Sequence, residues 1–367
     1  MINVEQLLEG AFKLGASDVH LMAGERPVFR VHGDLIRINN GSNGALSDQE
    51  VNECIGLILP AHLRPALEES RGIDFSYQLK DLIRFRCVAF YDKNMHGLCM
   101  RVIPVKIPTI DELEFPPTLK TIALNHRGMI LVTGITGCGK TTTLAAMIDH
   151  LNNTEARRII TIEEPIEYLY KPSKCVVSQR EVGKDILDFT SGLRQAMRMD
   201  PDVILIGEMR DVETIRVCIK AAETGHLVFS TLHTTNAIHT IQRIISHFDG
   251  NEQDLVREQL ALNLRAVITQ RLVRRCDVKG RIAALEILVV NQVIAKLMRD
   301  NRISDMIGVM KGREQGMQVC DQALADHVRA KKVAIEEAQK HCDDFFALRR
   351  YVQGMQSSGE KGAIFSG

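Results

Sequence analysis

The chain has 367 residues, enough for two domains, and its 46 Lys+Arg balance 46 Asp+Glu, so the formal net charge is zero. A protein that works by gripping nucleic-acid phosphates shows a basic excess, because counterion release drives that binding; no nucleic-acid partner is expected. No apolar run reaches the roughly 18 residues of a membrane span, and the acidic opening MINVEQLLEG lacks the basic-then-apolar layout of a secretion signal.

Nine cysteines, an odd number with no CxxC pair, read as free thiols of a reducing compartment rather than as disulfides or a zinc site. The chain is therefore expected in the cytoplasm.

Residues 1–103 begin with a helical VEQLLEGAFKLG. RPVFRVHGDLIRI and IRFRCVAFYD…GLCMRVIP follow, with the period-two apolar spacing of strands. Residues 104–117, PVKIPTIDELEFPP, hold four prolines and read as an extended linker and hinge. From 118 to 290, the β-branched runs MILVTG, RIITIEE, KCVVSQ, VILIGE, LVFSTLH and RIAALEILVV alternate with helical patterns. That alternation predicts an α/β fold with a largely parallel sheet. Residues 291–355 read as helical. Within them Ile335, Ala338, Cys342, Phe345 and Leu348 recur at steps of three and four, predicting one apolar helix face. Residues 356–367 read as a flexible tail, or as a docking peptide using Ile364 and Phe365.

GITGCGKTTT, at 134–143, follows a buried strand and opens a helix. Gly134, Gly139, Lys140 and Thr141 satisfy the phosphate-loop pattern G-x-x-x-x-G-K-[ST]. Glycines let the backbone bend around an anion, and successive N–H groups at a helix start converge on it. The cradle is expected to comprise Gly134, Ile135, Thr136, Gly137, Cys138, Gly139, Lys140, Thr141 and Thr142. In such a loop the lysine reaches the β- and γ-phosphates of ATP and the Thr141 hydroxyl ligates Mg²⁺. Cys138 is either an activated thiol or merely the carrier of a backbone N–H.

Hydrolysis also needs groups that position water and hold a hydrated cation. In open α/β sheets these belong at the C-terminal ends of strands. IITIEEP ends in Glu163 and Glu164, and VILIGEMRD delivers Glu208. His226 and His233 bracket GHLVFSTLH. As one strand this puts them roughly 20 Å apart at about 3.3 Å per residue, too far to share a metal. His233 is expected on the nucleotide edge as a γ-phosphate sensor, and His226 on the opposite edge as a structural or intersubunit contact.

LVTGITGCGKTTTLAAMI, TIEEPIEY, SQREVG, MDPDVILIGEMRDVETI and AAETGHLVFSTLHTTNA together resemble the secretion and type IV pilus ATPase superfamily in order and spacing. GASDVHL, RFR at 84–86 and GMQVCDQAL at 316–324 narrow the resemblance to its pilus-retraction branch, PilT and PilU. LALNLRAVITQRLV, GRIAALEIL, VIAKLMRD and DDFFALRR look more like PilU. The resemblance implies a RecA-like P-loop ATPase core behind a PAS-like α+β domain, assembled as a homohexamer.

It also implies Glu163 as catalytic base and Glu208 as the Walker B carboxylate that holds Mg²⁺ with Thr141. His226 and His233 would form the histidine motif, and Arg84, Arg86 and Arg101 would reach the nucleotide. Glu163–Glu164 stands where the family usually has Glu-Asp, so either carboxylate is eligible as the base. The implied function is ATP-driven pilus retraction, alone or as accessory to a PilT-type partner, at the inner face of the cytoplasmic membrane and against the pilus platform protein. The alternatives are an ATP-binding scaffold for a partner motor and a pilus assembly or secretion ATPase.

Overall fold

In IRFRCVAF every second side chain is apolar. Ile83, Phe85, Cys87 and Ala89 are buried, while Arg84 and Arg86 lie on the other face. The computed structural model describes residues 3–31, 33–39, 44–80, 83–103 and 106–354. It divides them into two units, Met1–Lys106 and Ile107–Gly367. The expected tail, 356–367, lies outside the described residues.

The first unit runs α1 (Val4–Lys13), β1 (Ala16–Met22), β2 (Val28–Val31), β3 (Asp34–Arg37), α2 (Asp48–Ile58), α3 (Arg64–Ser70), β4 (Gly72–Leu79), β5 (Ile83–Asp92) and β6 (Met95–Ile103). Its sheet is antiparallel in the order β3-β2-β1-β6-β5-β4. Leu8, Val51 and Ile55 pack on the buried sheet face with Phe29 and Phe85. This is the α+β domain expected ahead of the ATPase core.

The second unit continues through α4 (Thr118–Ala123), β7 (Gly128–Thr133), α5 (Lys140–Thr154), β8 (Arg158–Glu163), β9 (Val176–Glu181), α6 (Phe189–Ala196), β10 (Val203–Ile206), α7 (Val212–Glu223) and β11 (Leu227–Leu232). Then come α8 (Ala237–Ser246), α9 (Gln253–Asn263), β12 (Leu264–Arg274), β13 (Arg281–Val289), α10 (Gln292–Arg299), α11 (Met306–Lys311), α12 (Cys320–Arg329), α13 (Ile335–His341) and α14 (Phe345–Val352). The sheet order is β13-β12-β7-β11-β10-β8-β9, parallel except for the β12–β13 pair. Strands buried on both faces read as continuous apolar runs. Met129, Leu131, Ile160 and Ile162 pack under α6–α11, whereas Ile130, Val132, Ile159 and Phe229 pack under α4 and α5. Among the described residues no helix is long and apolar enough to cross a membrane.

Two expectations change. The linker expected over 104–117 does not extend past the unit boundary. Ile110 and Phe115 are buried in the core beneath α5, because these apolar side chains between the prolines have a surface to cover. Within 291–355, Ile294, Met298, Met306 and Met310 complete a core shared with the sheet. The single helix face expected around Cys342 is two helices, α13 and α14, broken at Cys342–Asp344.

The break has a local cause. Asp321 on α12 accepts hydrogen bonds from the backbone N–H groups of Asp343 and Asp344, at 2.8 and 2.9 Å. Asp344 then caps α14 by accepting from Phe346 N and Ala347 N, at 2.8 and 3.1 Å. Asp344→Ala is expected to destabilise the unit by about 1 kcal/mol in chemical denaturation, the usual worth of an N-cap. An unchanged denaturation midpoint would contradict this account of the break.

Candidate functional site

Because β7, β8, β10 and β11 run parallel, their C-terminal ends share one edge of the sheet. Register confirms it: Thr133 pairs with Leu232, and Ile162 pairs with Ile206. The phosphate loop leaves β7 at that edge, Glu163 ends β8, Glu208 follows β10 by two residues, and His233 follows β11.

The loop has the backbone its glycines predict. Gly134, Gly137 and Gly139 all have positive φ, and Gly139 stands at the N-cap of α5. At Gly134, with φ +142°, an added Cβ would lie 2.6 Å from both Cys138 Sγ and the Gln270 carbonyl oxygen. Gly134→Ala is therefore expected to cost about 1–3 kcal/mol of strain and clash and to abolish retention of ADP. Melting curves with and without ADP check both effects. Normal ADP stabilisation of the alanine variant would show that the loop tolerates the side chain.

Lys140 is buried, and its ammonium donates to the Gly134 and Ile135 carbonyl oxygens at 2.9 and 3.2 Å. These contacts use two of its three N–H bonds and hold the charge at the mouth of the loop. Cys138 is buried as well, and burial raises its thiol pKa. Of the two readings of this cysteine, burial favours the one in which only its backbone matters.

Glu163 is only 6% exposed. Its Oε1 accepts from Thr161 Oγ1 at 2.6 Å and from Gln179 Nε2 at 3.2 Å, and burial raises its carboxyl to about 7. Gln179 on β9 also donates to the Tyr168 carbonyl at 2.7 Å and accepts from Tyr170 N at 2.9 Å. The Tyr168 hydroxyl in turn meets Thr142 Oγ1 at 2.9 Å. A chain of contacts thus runs from the first turn of α5 to the Glu163 carboxylate.

Glu164 behaves differently. It is paired with Arg210 at 3.3 Å, its side chain 42% exposed. Arg210 also forms an ion pair with Glu208, which raises the arginine's pKa. His233 Nε2 lies 3.6 Å from Glu208 Oε2. Glu208, Arg210, Glu164 and His233 are therefore one cluster. His226 is not part of it. Just before β11, at the opposite edge, its Nδ1 contacts the Ala221 carbonyl and Thr224 Oγ1 at 2.9 and 3.1 Å.

Arg84, Arg86 and Arg101 belong to the first unit. Arg86 and Arg101 are cross-strand partners on β5 and β6. Arg86 pairs with Asp74 at 3.6 Å, Arg101 donates to Asp18 at 2.9 Å, and Arg84 donates to Ser76 Oγ at 3.4 Å.

Hard oxygen donors suit Mg²⁺, which takes one or two protein ligands together with substrate phosphates. Thr141 in the first turn of α5 and the half-buried Glu208 fit that need. Among the described residues no group of three or more His, Cys, Asp or Glu could hold a metal by itself.

Five residues of the site escaped the sequence reading: Thr161, Tyr168, Gln179, Arg210 and Gln270. All of them lie within the motifs that carry the resemblance, yet nothing in their spacing marks them. Tyr168 and Gln270 reach the loop only through the tertiary fold.

Known proteins resemble this chain in sequence and in fold. The type IV pilus retraction ATPase PilT of Pseudomonas aeruginosa is 43% identical over 340 residues, covering 92% of this chain and 98% of that protein. The type IV pilus ATPase PilU of the same organism is 37% identical over 358 residues, covering 97% and 93%. Identity is thus higher with PilT and the aligned span longer with PilU. The crystal structure of the pilus retraction motor PilT with bound ADP superposes with a TM-score of 0.88 at 38% identity, covering 95% of this chain and 99% of that one. The family model for Type II/IV secretion system proteins matches residues 80–355, and the chain belongs to that family of ATPases.

Proposed function

We propose that this chain is an ATP-hydrolysing motor that powers retraction of type IV pili as a ring of six copies. The observation that carries the reading is the convergence, at one sheet edge, of the phosphate loop, buried Glu163 and the Glu208–Arg210–His233 cluster. The near full-length similarity to PilT supports the biological role.

Lys140 and the loop N–H groups hold the β- and γ-phosphates. Glu163, oriented by Thr161 and Gln179, takes the proton of the attacking water. Burial brings its pKa close to the operating pH, as a general base requires. Glu164 is the weaker choice, since Arg210 holds its carboxylate in an ion pair. Thr141 and Glu208 would hold Mg²⁺, which supplies positive charge to the phosphates. His233, beside Glu208, senses the γ-phosphate, while His226 serves a structural or intersubunit contact. Arg84, Arg86 and Arg101 supply positive charge to a nucleotide. Loss of the γ-phosphate would then relax the closed state and move the ring. The ring acts in the cytoplasm, against the platform protein at the inner face of the membrane.

The second reading, an accessory ring that assists a PilT-type partner, draws on the PilU similarity over 97% of the chain. Phosphate release by the purified chain, alone and mixed with such a partner, separates the two. Turnover alone that is lost in Lys140→Ala supports the motor. Turnover seen only in the mixture supports the accessory ring.

A further inference from the structure

β12 was not among the strands expected from sequence, yet it lies against β7 and brings one buried polar side chain under the phosphate loop. Thr269 pairs with Thr133 in the parallel register, and their hydroxyls meet at 2.8 Å. The next residue, Gln270, therefore stands beside Gly134, where only a glycine leaves room for its backbone. Its side chain, in a residue 3% exposed, bonds at both ends. Nε2 donates to the Cys138 carbonyl at 2.6 Å, and Oε1 accepts from Thr143 Oγ1 at 2.6 Å. The chemistry fixes which way round the carboxamide sits, because a carbonyl can only accept and the N–H₂ end must face it.

We infer that Gln270 is a positioning residue for nucleotide phosphate: it pins the Cys138 carbonyl inward, so that the Gly139 N–H faces the anion. In a trans peptide the C=O and the following N–H point in opposite directions. Holding one toward β12 aims the other away from it, into the cradle. The Thr143 contact braces the carboxamide against the first turn of α5, whose Thr143 also bonds the Gly139 carbonyl through its N–H at 3.1 Å and its hydroxyl at 3.3 Å. Loop peptide, strand and helix start are thereby locked together. Lys140 attracts the phosphates, and Gln270 presets the N–H that receives them. The inference rests on the nucleotide-binding reading of the loop.

The test is calorimetric titration of the full chain with Mg-ADP, together with inhibition of its ATP turnover by inorganic pyrophosphate. Binding of ADP by the wild-type chain establishes the reading itself, separately from the role of Gln270. Gln270→Met keeps the volume and removes both polar contacts. It is expected to raise the ADP Kd about 10- to 100-fold, the worth of one charge-assisted hydrogen bond. KM should rise more than kcat falls, and pyrophosphate inhibition should weaken in the same proportion, since the loop touches only phosphates. Gln270→Asn, whose carboxamide falls one methylene short, should behave alike and serves if the Met variant does not fold. Wild-type ADP affinity in a folded variant overturns the inference. So does weakened ADP binding with unchanged pyrophosphate inhibition, which would place the effect away from the phosphates.

Discussion

Replacing Lys140 by alanine is expected to reduce ATP turnover by at least roughly 10²–10³-fold, the scale set by removing a preorganised donor from a developing phosphate charge. The loss has two parts. The charge that neutralises the β- and γ-phosphates disappears, and so do the hydrogen bonds to the Gly134 and Ile135 carbonyls that hold the loop mouth. The second part predicts a lower melting temperature even without nucleotide, by about 1–3 kcal/mol of stability for a buried charged donor. Steady-state phosphate release and thermal unfolding measure the two separately. Near-normal turnover in Lys140→Ala would mean that the loop does not hold the reacting phosphates.

Glu163→Gln is expected to leave ATP bound but uncleaved, with kcat reduced about 10²–10⁴-fold, the usual contribution of a general base. The substitution keeps the side-chain donors to Glu163 paired. The two side-chain donors, Thr161 Oγ1 and Gln179 Nε2, go to Oε1, which a glutamine keeps as an acceptor; the Glu167 backbone N–H also donates to the carboxylate.

Two pH signatures follow from a carboxyl raised from 4.5 to about 7 by burial. A base must be ionised to act, so wild-type kcat/KM should rise with pH through about 7, and the Gln variant should lack that limb. For stability, a raised folded pKa means the favourable contribution is fully present below the ordinary value of 4.5 and is lost as pH rises through about 7. At pH 8 the Gln variant should therefore unfold later than the wild type, by up to about 3 kcal/mol. A Gln variant that hydrolyses ATP normally would pass the role of base to Glu164.

How much of this was legible in the sequence depends on how local each feature is. The phosphate loop is a contiguous pattern of glycines, lysine and threonine, and the structure gives each glycine the positive φ expected of it. Glu163, Glu208 and His233 were readable because each ends or closely follows an apolar strand, and parallel strands bring their ends to one edge.

β12 was not readable. LRAVITQRLVR mixes arginines and a glutamine among its apolar residues, and it follows α9 without a glycine or proline to mark the change. With β12 missed, Gln270 could not be placed beside a loop 132 residues earlier in the chain. The prolines of 104–117 pointed to a linker, but Ile110 and Phe115 found a core to enter, which only the packed structure reveals. The break between α13 and α14 likewise depends on Asp321, twenty-two residues upstream of the first N–H it accepts. Arg210 was hidden for another reason. Its carboxylate partners, Glu164 and Glu208, come from separate strand ends that pair only after folding.

The most direct test of the central claim is a structure of the assembled ring with Mg²⁺ and a slowly hydrolysed ATP analogue. The account predicts that in closed subunits the Lys140 ammonium contacts the terminal phosphates and that the Glu163 carboxylate holds a water in line with the γ-phosphate. Glu163 and Glu208 both turned away from that phosphate in every closed subunit would contradict it.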